Sequence, residues 1–361
     1  MHLKSKLLLG ICLLLSSQNA SAFSPSSNSI SPVKSSLTSG KTTTTIEGRK
    51  HFIVSNIQSL SRGGSSSQLN AWPLTATDSV DASPDYNLAF KRVGITVAAT
   101  YFTWLVQNQY SSVMASAAFS IVCALTVDKR ICMGAFCGSF AGMCSKAVVS
   151  SPALALALGG LTSFFFEAMI HYKNAFAGLG GRLGFTAFLA TSIVTALSGV
   201  STNFNVGDVK LSALNWSLNG PIVQMAFWHA VGSVATIFLR ETSDDERSKD
   251  PVRASAIVGL AGALFLKDKT AALAVYGGSF VGMAAPARLM YGLGNSLKEK
   301  DGKFKVWSAF AVAAALGGVV HGATMDLGWW AGGWGGKAGT CAFIGCILFR
   351  ILATIYAKIL G

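Results

Sequence analysis

The chain has 361 residues, of which 51% are hydrophobic and only 12% charged, with 38 glycines. That balance excludes an ordinary soluble domain and fits tightly packed helices in a bilayer. From Ala71 onward 22 Lys/Arg stand against 15 Asp/Glu, a surplus that in a membrane protein sets topology; with no aromatic-interleaved basic groove, no nucleic-acid partner is expected.

Met1–Ala22 reads as a signal peptide, with Lys4 and Lys6 ahead of an apolar core over Leu7–Leu15 and a small-residue end. Residues 23–70 are Ser/Thr-rich, with Lys34, Lys41, Arg49, Lys50 and Arg62 against the single acid Glu47, which is the composition of a transit peptide. Joined at Ala20-Ser21-Ala22-Phe23-Ser24-Pro25, the two resemble the bipartite plastid presequence of algae with complex plastids, such as diatoms. The Phe after the cleavage point is the specific feature. The resemblance implies delivery to a plastid membrane, thylakoid or inner envelope, and implies nothing about chemistry. A secreted or endomembrane protein with a disordered Ser/Thr-rich stalk is the competing reading.

After a polar lead-in over residues 71–90, hydrophobic segments fall at Val93–Gln107, Val113–Val127, Ile131–Val149, Ala153–Ile170 and Phe176–Val200. Following a polar break, five more fall at Ile222–Leu239, Ala254–Leu266, Ala271–Leu293, Val306–Met325 and Gly332–Ile359. The pattern predicts an all-α polytopic transmembrane bundle of about ten spans, with the lipid bilayer as its surroundings.

The two sets are related. Asp128–Met143 (DKRICMGAFCGSFAGM) aligns without a gap with Asp268–Met283 (DKTAALAVYGGSFVGM), 140 residues on. Gly180–Phe188 (GGRLGFTAF) aligns with Gly335–Phe343 (GGKAGTCAF), and Ala157-Leu158-Gly159-Gly160 with Ala315-Leu316-Gly317-Gly318, at offsets of 155 and 158. An internal duplication follows: one membrane repeat over 91–200, a linker over 201–221 and a second repeat over 222–361. Five spans per repeat invert the second copy, a transporter architecture with its site between the halves. Charge agrees: Lys91, Arg92, Lys129, Arg130, Lys173, the Arg240–Arg253 loop and Lys298–Lys305 then share one side.

Several groups at membrane depth can carry chemistry. Glu167 and His171 lie four apart on one helical face, and His321 and Asp326 fall in the matching region of the second half. An acid beside a His can relay protons or hold a cation; the alternative is interfacial capping, or pairing with Lys173 and Lys337. Ser139 and Ser279, each between Gly and Phe, either break a helix at a binding site or form a small-residue packing seam. Arg182 and Lys337 follow glycine pairs, as an anion-holding cation or as snorkelling helix starts. His229 is a lone imidazole next to Trp228.

Cys12 lies in the leader, and the remaining six cysteines show neither a CxxC pair nor zinc spacing, so they read as small apolar residues and no metal or cofactor is expected. No nucleophile–base set, hydrolase carboxylate pair or dinucleotide fingerprint is present, which argues against an enzyme. The expectation is a plastid membrane transporter or channel for a small solute or ion. The alternative is a non-transporting thylakoid or envelope protein with a structural, assembly or pigment-associated role.

Overall fold

A computed structural model describes residues 85–172, 176–201, 204, 214–242, 249–291 and 302–360. The signal and transit segments, most of the polar lead-in, Lys173 and Lys298 lie outside them, as do parts of the linker and of the Arg240–Arg253 loop. The described residues are all-helical, without a strand. In chain order the helices are α1 (Tyr86–Tyr110), α2 (Ser112–Thr126), α3 (Lys129–Ala141), α4 (Pro152–His171) and α5 (Arg182–Leu197), then α6 (Pro221–Thr242), α7 (Pro251–Phe265), α8 (Lys269–Gly282), the single turn α9 (Pro286–Leu289), α10 (Gly302–Asp326) and α11 (Lys337–Leu360).

Local chemistry sets most of these starts. Asp85, Ser111, Asp128, Ser151, Asp250 and Asp268 each cap the first turn by accepting a backbone N–H, and Pro152 and Pro251 follow their caps where a missing N–H costs nothing.

Among the described residues, four helices are long and apolar enough to cross a membrane: Pro152–His171, Pro221–Thr242, Lys305–Asp326 and Lys337–Ile359. Ser112–Thr126, Arg182–Leu197 and Pro251–Phe265 are apolar but shorter. The outer surface carries Phe102, Leu105, Phe164, Phe227, Phe238 and Leu352, while Thr96, Thr100, Thr103, Thr191, Thr195, Ser233 and Thr236 are buried. Most of those hydroxyls donate to carbonyls one turn back in their own helix, such as Thr96 to Arg92 at 2.7 Å and Thr236 to Gly232 at 2.8 Å. Apolar outside with self-satisfied hydroxyls inside is the arrangement a lipid solvent selects.

Packing follows one scheme twice. Helix α1 lies against α3 and α4 and touches α2; α6 lies against α8 and α10 and touches α7. Helix α5 rests on α3 and α4, and α11 on α8 and α10. Between the two sets the main contacts join α2 to α7 and α5 to α11.

Four of the expected segments are shorter as helices than as hydrophobic runs. The segment Ile131–Val149 is helical only to Ala141, because the Gln107 amide donates to the carbonyls of Gly142 and Cys144 and closes the helix there. Ala271–Leu293 ends its main helix at Gly282, where the Arg240 guanidinium donates to the carbonyls of Gly282 and Ala284 at 2.6 and 3.1 Å. Phe176–Val200 and Gly332–Ile359 become helical only at Arg182 and Lys337, after Gly181 and Gly336, whose φ of 79° and 78° lies in the left-handed region that favours glycine.

Candidate functional site

The two sequence blocks meet at the centre of the bundle. Phe136 and Phe140 of α3 interlock with Tyr276 and Phe280 of α8, with ring centroids 4.3–6.3 Å apart. Ser139 and Ser279 are fully buried, and each donates back to a carbonyl three residues earlier, Phe136 at 2.8 Å and Tyr276 at 2.6 Å. Ser139 also meets Ser116 and Ser120 of α2, and Ser279 meets Ser255 of α7. The helices run unbroken through both serines. Gly138 and Gly278 leave room for the backbones of Thr96 and His229, so these positions form a packing seam rather than a helix break.

The second pair of blocks forms a crossing. Gly181 abuts Gly339 and Phe343, while Gly336 abuts Gly184 and Phe188. Rising numbers on one helix meet falling numbers on the other, so α5 and α11 run antiparallel, crossing at Gly184–Gly339. A Cβ on Gly184 would stand 2.5 Å from the Gly339 Cα. Gly180 packs on Phe280 and Val281, and Gly335 on Phe140 and Ala141; Ala285 N–H donates to Gly178 and Ser145 N–H to Gly333, both at 2.9 Å. Each contact has its mirror in the other half.

Both helices begin at depth. The Leu183 carbonyl accepts from Cys137 Sγ at 3.3 Å, one residue from the Gly138 that packs on Thr96 midway along α1. Ala338 and Gly339 lie against Gly277 and Phe280, at the level of His229 midway along α6. The two N-termini therefore meet near the middle of the bundle, each reached by a glycine turn.

A further correspondence joins α1 and α6. Gly138 packs on Thr96 and Gly278 on His229, Gly142 on Thr100 and Thr103, Gly282 on Ser233 and Thr236, and the caps described above are Gln107 and Arg240. All these pairs stand 133 residues apart, yet Thr103 and Thr236 are the only identical pair among them.

The acids and histidines are arranged differently from the expected pairs. Glu167 is held by Arg92 of α1 in a two-pronged ion pair, Nε to Oε1 and Nη2 to Oε2, both 2.6 Å. His171 stands 3.5 Å from the same carboxylate. His321 and Asp326 do not form a unit: Asp326 accepts the backbone N–H of Asn215 at 2.8 Å, and His321 Nδ1 faces His229 Nε2 at 3.1 Å. Both of those imidazoles are buried. Gly159 packs on Val97 and Thr100 of α1, whereas its counterpart Gly317 packs on Cys341 and Ala342 of α11; Gly160 has nothing within 4 Å, whereas its counterpart Gly318 packs on Met225 and Ala226 of α6. The Ala-Leu-Gly-Gly match is therefore out of register with the other correspondences, and Glu167 and Asp326 are not equivalents. Arg182 is buried at the start of α5. Lys337, at the start of α11, donates to the Trp329 carbonyl at 2.7 Å and not to Asp326.

A cavity of about 350 Å³ opens beside the α11 start. Its walls include Phe140 of α3, Tyr276 of α8, His321 of α10, Lys337, and the indoles of Trp329, Trp330 and Trp334. No protein family matches the chain, and no characterised protein or solved structure is significantly similar to it.

Proposed function

We propose that the chain is an integral membrane transporter or channel for a small solute or ion, made of two five-helix repeats of opposite orientation with the site where they meet. The observation that carries this is the antiparallel crossing of α5 and α11 at Gly184–Gly339, with both N-termini near the middle of the bundle. Irregular backbone at membrane depth is tolerated only where protein buries it or a cavity needs it. Discontinuous helices whose N-termini converge between inverted repeats are a recurrent way to build a substrate site. The mirrored contacts at offsets of 133, 140 and 155 support a duplicated origin. The presequence resemblance supports a plastid membrane.

The test is flux into proteoliposomes carrying the chain from Ala71, across a panel of cations, anions and small polar solutes, with full-length fluorescent fusions locating the protein in cells. Flux above empty liposomes for one class, with plastid fluorescence, is the expected result. Folded protein that moves nothing overturns the transport role, and fluorescence in the secretory pathway overturns the location.

One observation favours the non-transporting alternative. The four interlocked rings of Phe136, Phe140, Tyr276 and Phe280 fill the contact between α3 and α8. A subunit that only needs a rigid seam would look the same there, and absence of flux selects it.

A further inference from the structure

The geometry points to the cavity beside α11 as a binding site for a small planar oxyanion of the carboxylate, bicarbonate or nitrate class. Resting on the transport reading for its role as a substrate site, this inference names the substrate class.

The walls hold one fixed cation, Lys337, and no Asp or Glu. Lys337 forms no ion pair among the described residues; its ammonium has three protons, and one is given to the Trp329 carbonyl at 2.7 Å. A charge in a bilayer interior costs at least ~2.5–3.5 kcal/mol unless something offsets it. The N–H groups of Ala338 and Gly339, in the first turn of α11, have no carbonyl partner among the described residues, and the helix dipole adds partial positive charge at that end.

A helix start and a lysine alone would not make a site. The independent observation is His321, 2% exposed and part of the cavity wall. Its Nδ1 is engaged by His229 Nε2, while its Nε2 has no hydrogen-bond partner among the described residues. On the other side of the pair, His229 Nδ1 is buried and unpartnered. Unpaired buried lone pairs are tolerated better than unpaired N–H groups, as for backbone polar groups. The favoured tautomer therefore has His229 Nε2–H donating to His321 Nδ1, which leaves the His321 proton on Nε2. The site then offers donors from Lys337, the α11 amides and His321, and no anionic acceptor. A volume of about 350 Å³ exceeds the needs of a bare halide, and three indoles give flat walls for a planar ion.

Trp329, Trp330 and Trp334 make the cavity self-reporting. The experiment titrates detergent-solubilised protein with sodium formate at constant ionic strength against sodium chloride. It follows tryptophan emission and melting temperature for wild type, Lys337→Gln, Lys337→Arg and His321→Gln. Expected are a saturable formate response in wild type and Lys337→Arg, and at least tenfold weaker affinity in Lys337→Gln and His321→Gln. No saturable response in wild type, or wild-type affinity in folded Lys337→Gln, overturns the site. Should Lys337→Gln fail to fold, His321→Gln decides by the same criterion. Binding is read without transport: formate binding without flux keeps the anion site and removes the transporter, and flux without formate binding does the reverse.

Discussion

Among single residues, the ion pair between Arg92 and Glu167 is the most demanding. Their side chains are 8% and 13% exposed, and the carboxylate accepts two guanidinium N–H groups while His171 stands beside it. Burying both charges contributes little net stability, but removing one strands the other. Arg92→Met is expected to destabilise the solubilised protein by about 3–5 kcal/mol. The double variant Arg92→Met/Glu167→Met is expected to lose distinctly less than the sum of the two single changes. Thermal unfolding of the four proteins checks this, and additive losses would mean that the two groups act independently. The same geometry reassigns Glu167: its loss would disturb α1 against α4 before it altered any solute contact. Asp326, tied among the described residues only to the Asn215 backbone at 2.8 Å, is expected to tolerate neutralisation better.

For the helices, small residues decide how closely the elements approach. At the α5–α11 crossing neither Gly184 nor Gly339 has space for a methyl, which would stand 2.5 or 2.7 Å from the opposite Cα. Gly184→Ala and Gly339→Ala are each expected to cost about 1–3 kcal/mol, because backbone rather than a flexible side chain must move. Gly160→Ala on α4 is the control: nothing lies within 4 Å of its added methyl, and the helix-propensity gain of up to ~1 kcal/mol remains. Equal melting temperatures for all three would show that the crossing is loose. The ten helical regions were legible as hydrophobic segments, although among the described residues only four of their helices are long and apolar enough to cross a membrane. The glycines of the crossing were legible as the repeated blocks GGRLGFTAF and GGKAGTCAF, but not that these two blocks meet. The relation between α1 and α6 was not legible. It survives as position and geometry, Gln107 and Arg240 capping equivalent carbonyls, after the side chains have diverged. Neither was the Arg92–Glu167 pair or the His229–His321 pair, because each depends on the register between helices far apart in sequence. The Ala-Leu-Gly-Gly match misled for the opposite reason: small-residue runs recur in membrane helices whether or not they are equivalent.

Across the whole molecule, the proposed inversion makes a geometric demand. If both repeats cross the bilayer in an odd number of steps, the Asp128–Lys129 and Asp268–Lys269 turns, alike in sequence and capping, face opposite compartments. Two contacts bear on this. Lys129 lies 4.0 Å from Asp250, so the turn before α3 shares a face with the start of α7. Helix α7 then carries the chain away from that face before Asp268 is reached. Charge points the same way, since Lys129, Arg130 and Arg253 gather at one end, as a bias toward one compartment requires. Lys129 and Lys269 are both exposed, whereas all six cysteines in the described residues are buried. A membrane-impermeant maleimide should therefore report added cysteines against a low background. In sealed vesicles of uniform orientation, Lys129→Cys and Lys269→Cys are expected to label from opposite sides, each gaining access to the reagent only where the other is protected. Labelling of both from one side would mean that the halves are related by a rotation that keeps their orientation. The N-termini of α5 and α11 could not then converge from opposite faces, and a transport site at their crossing would lose its structural basis.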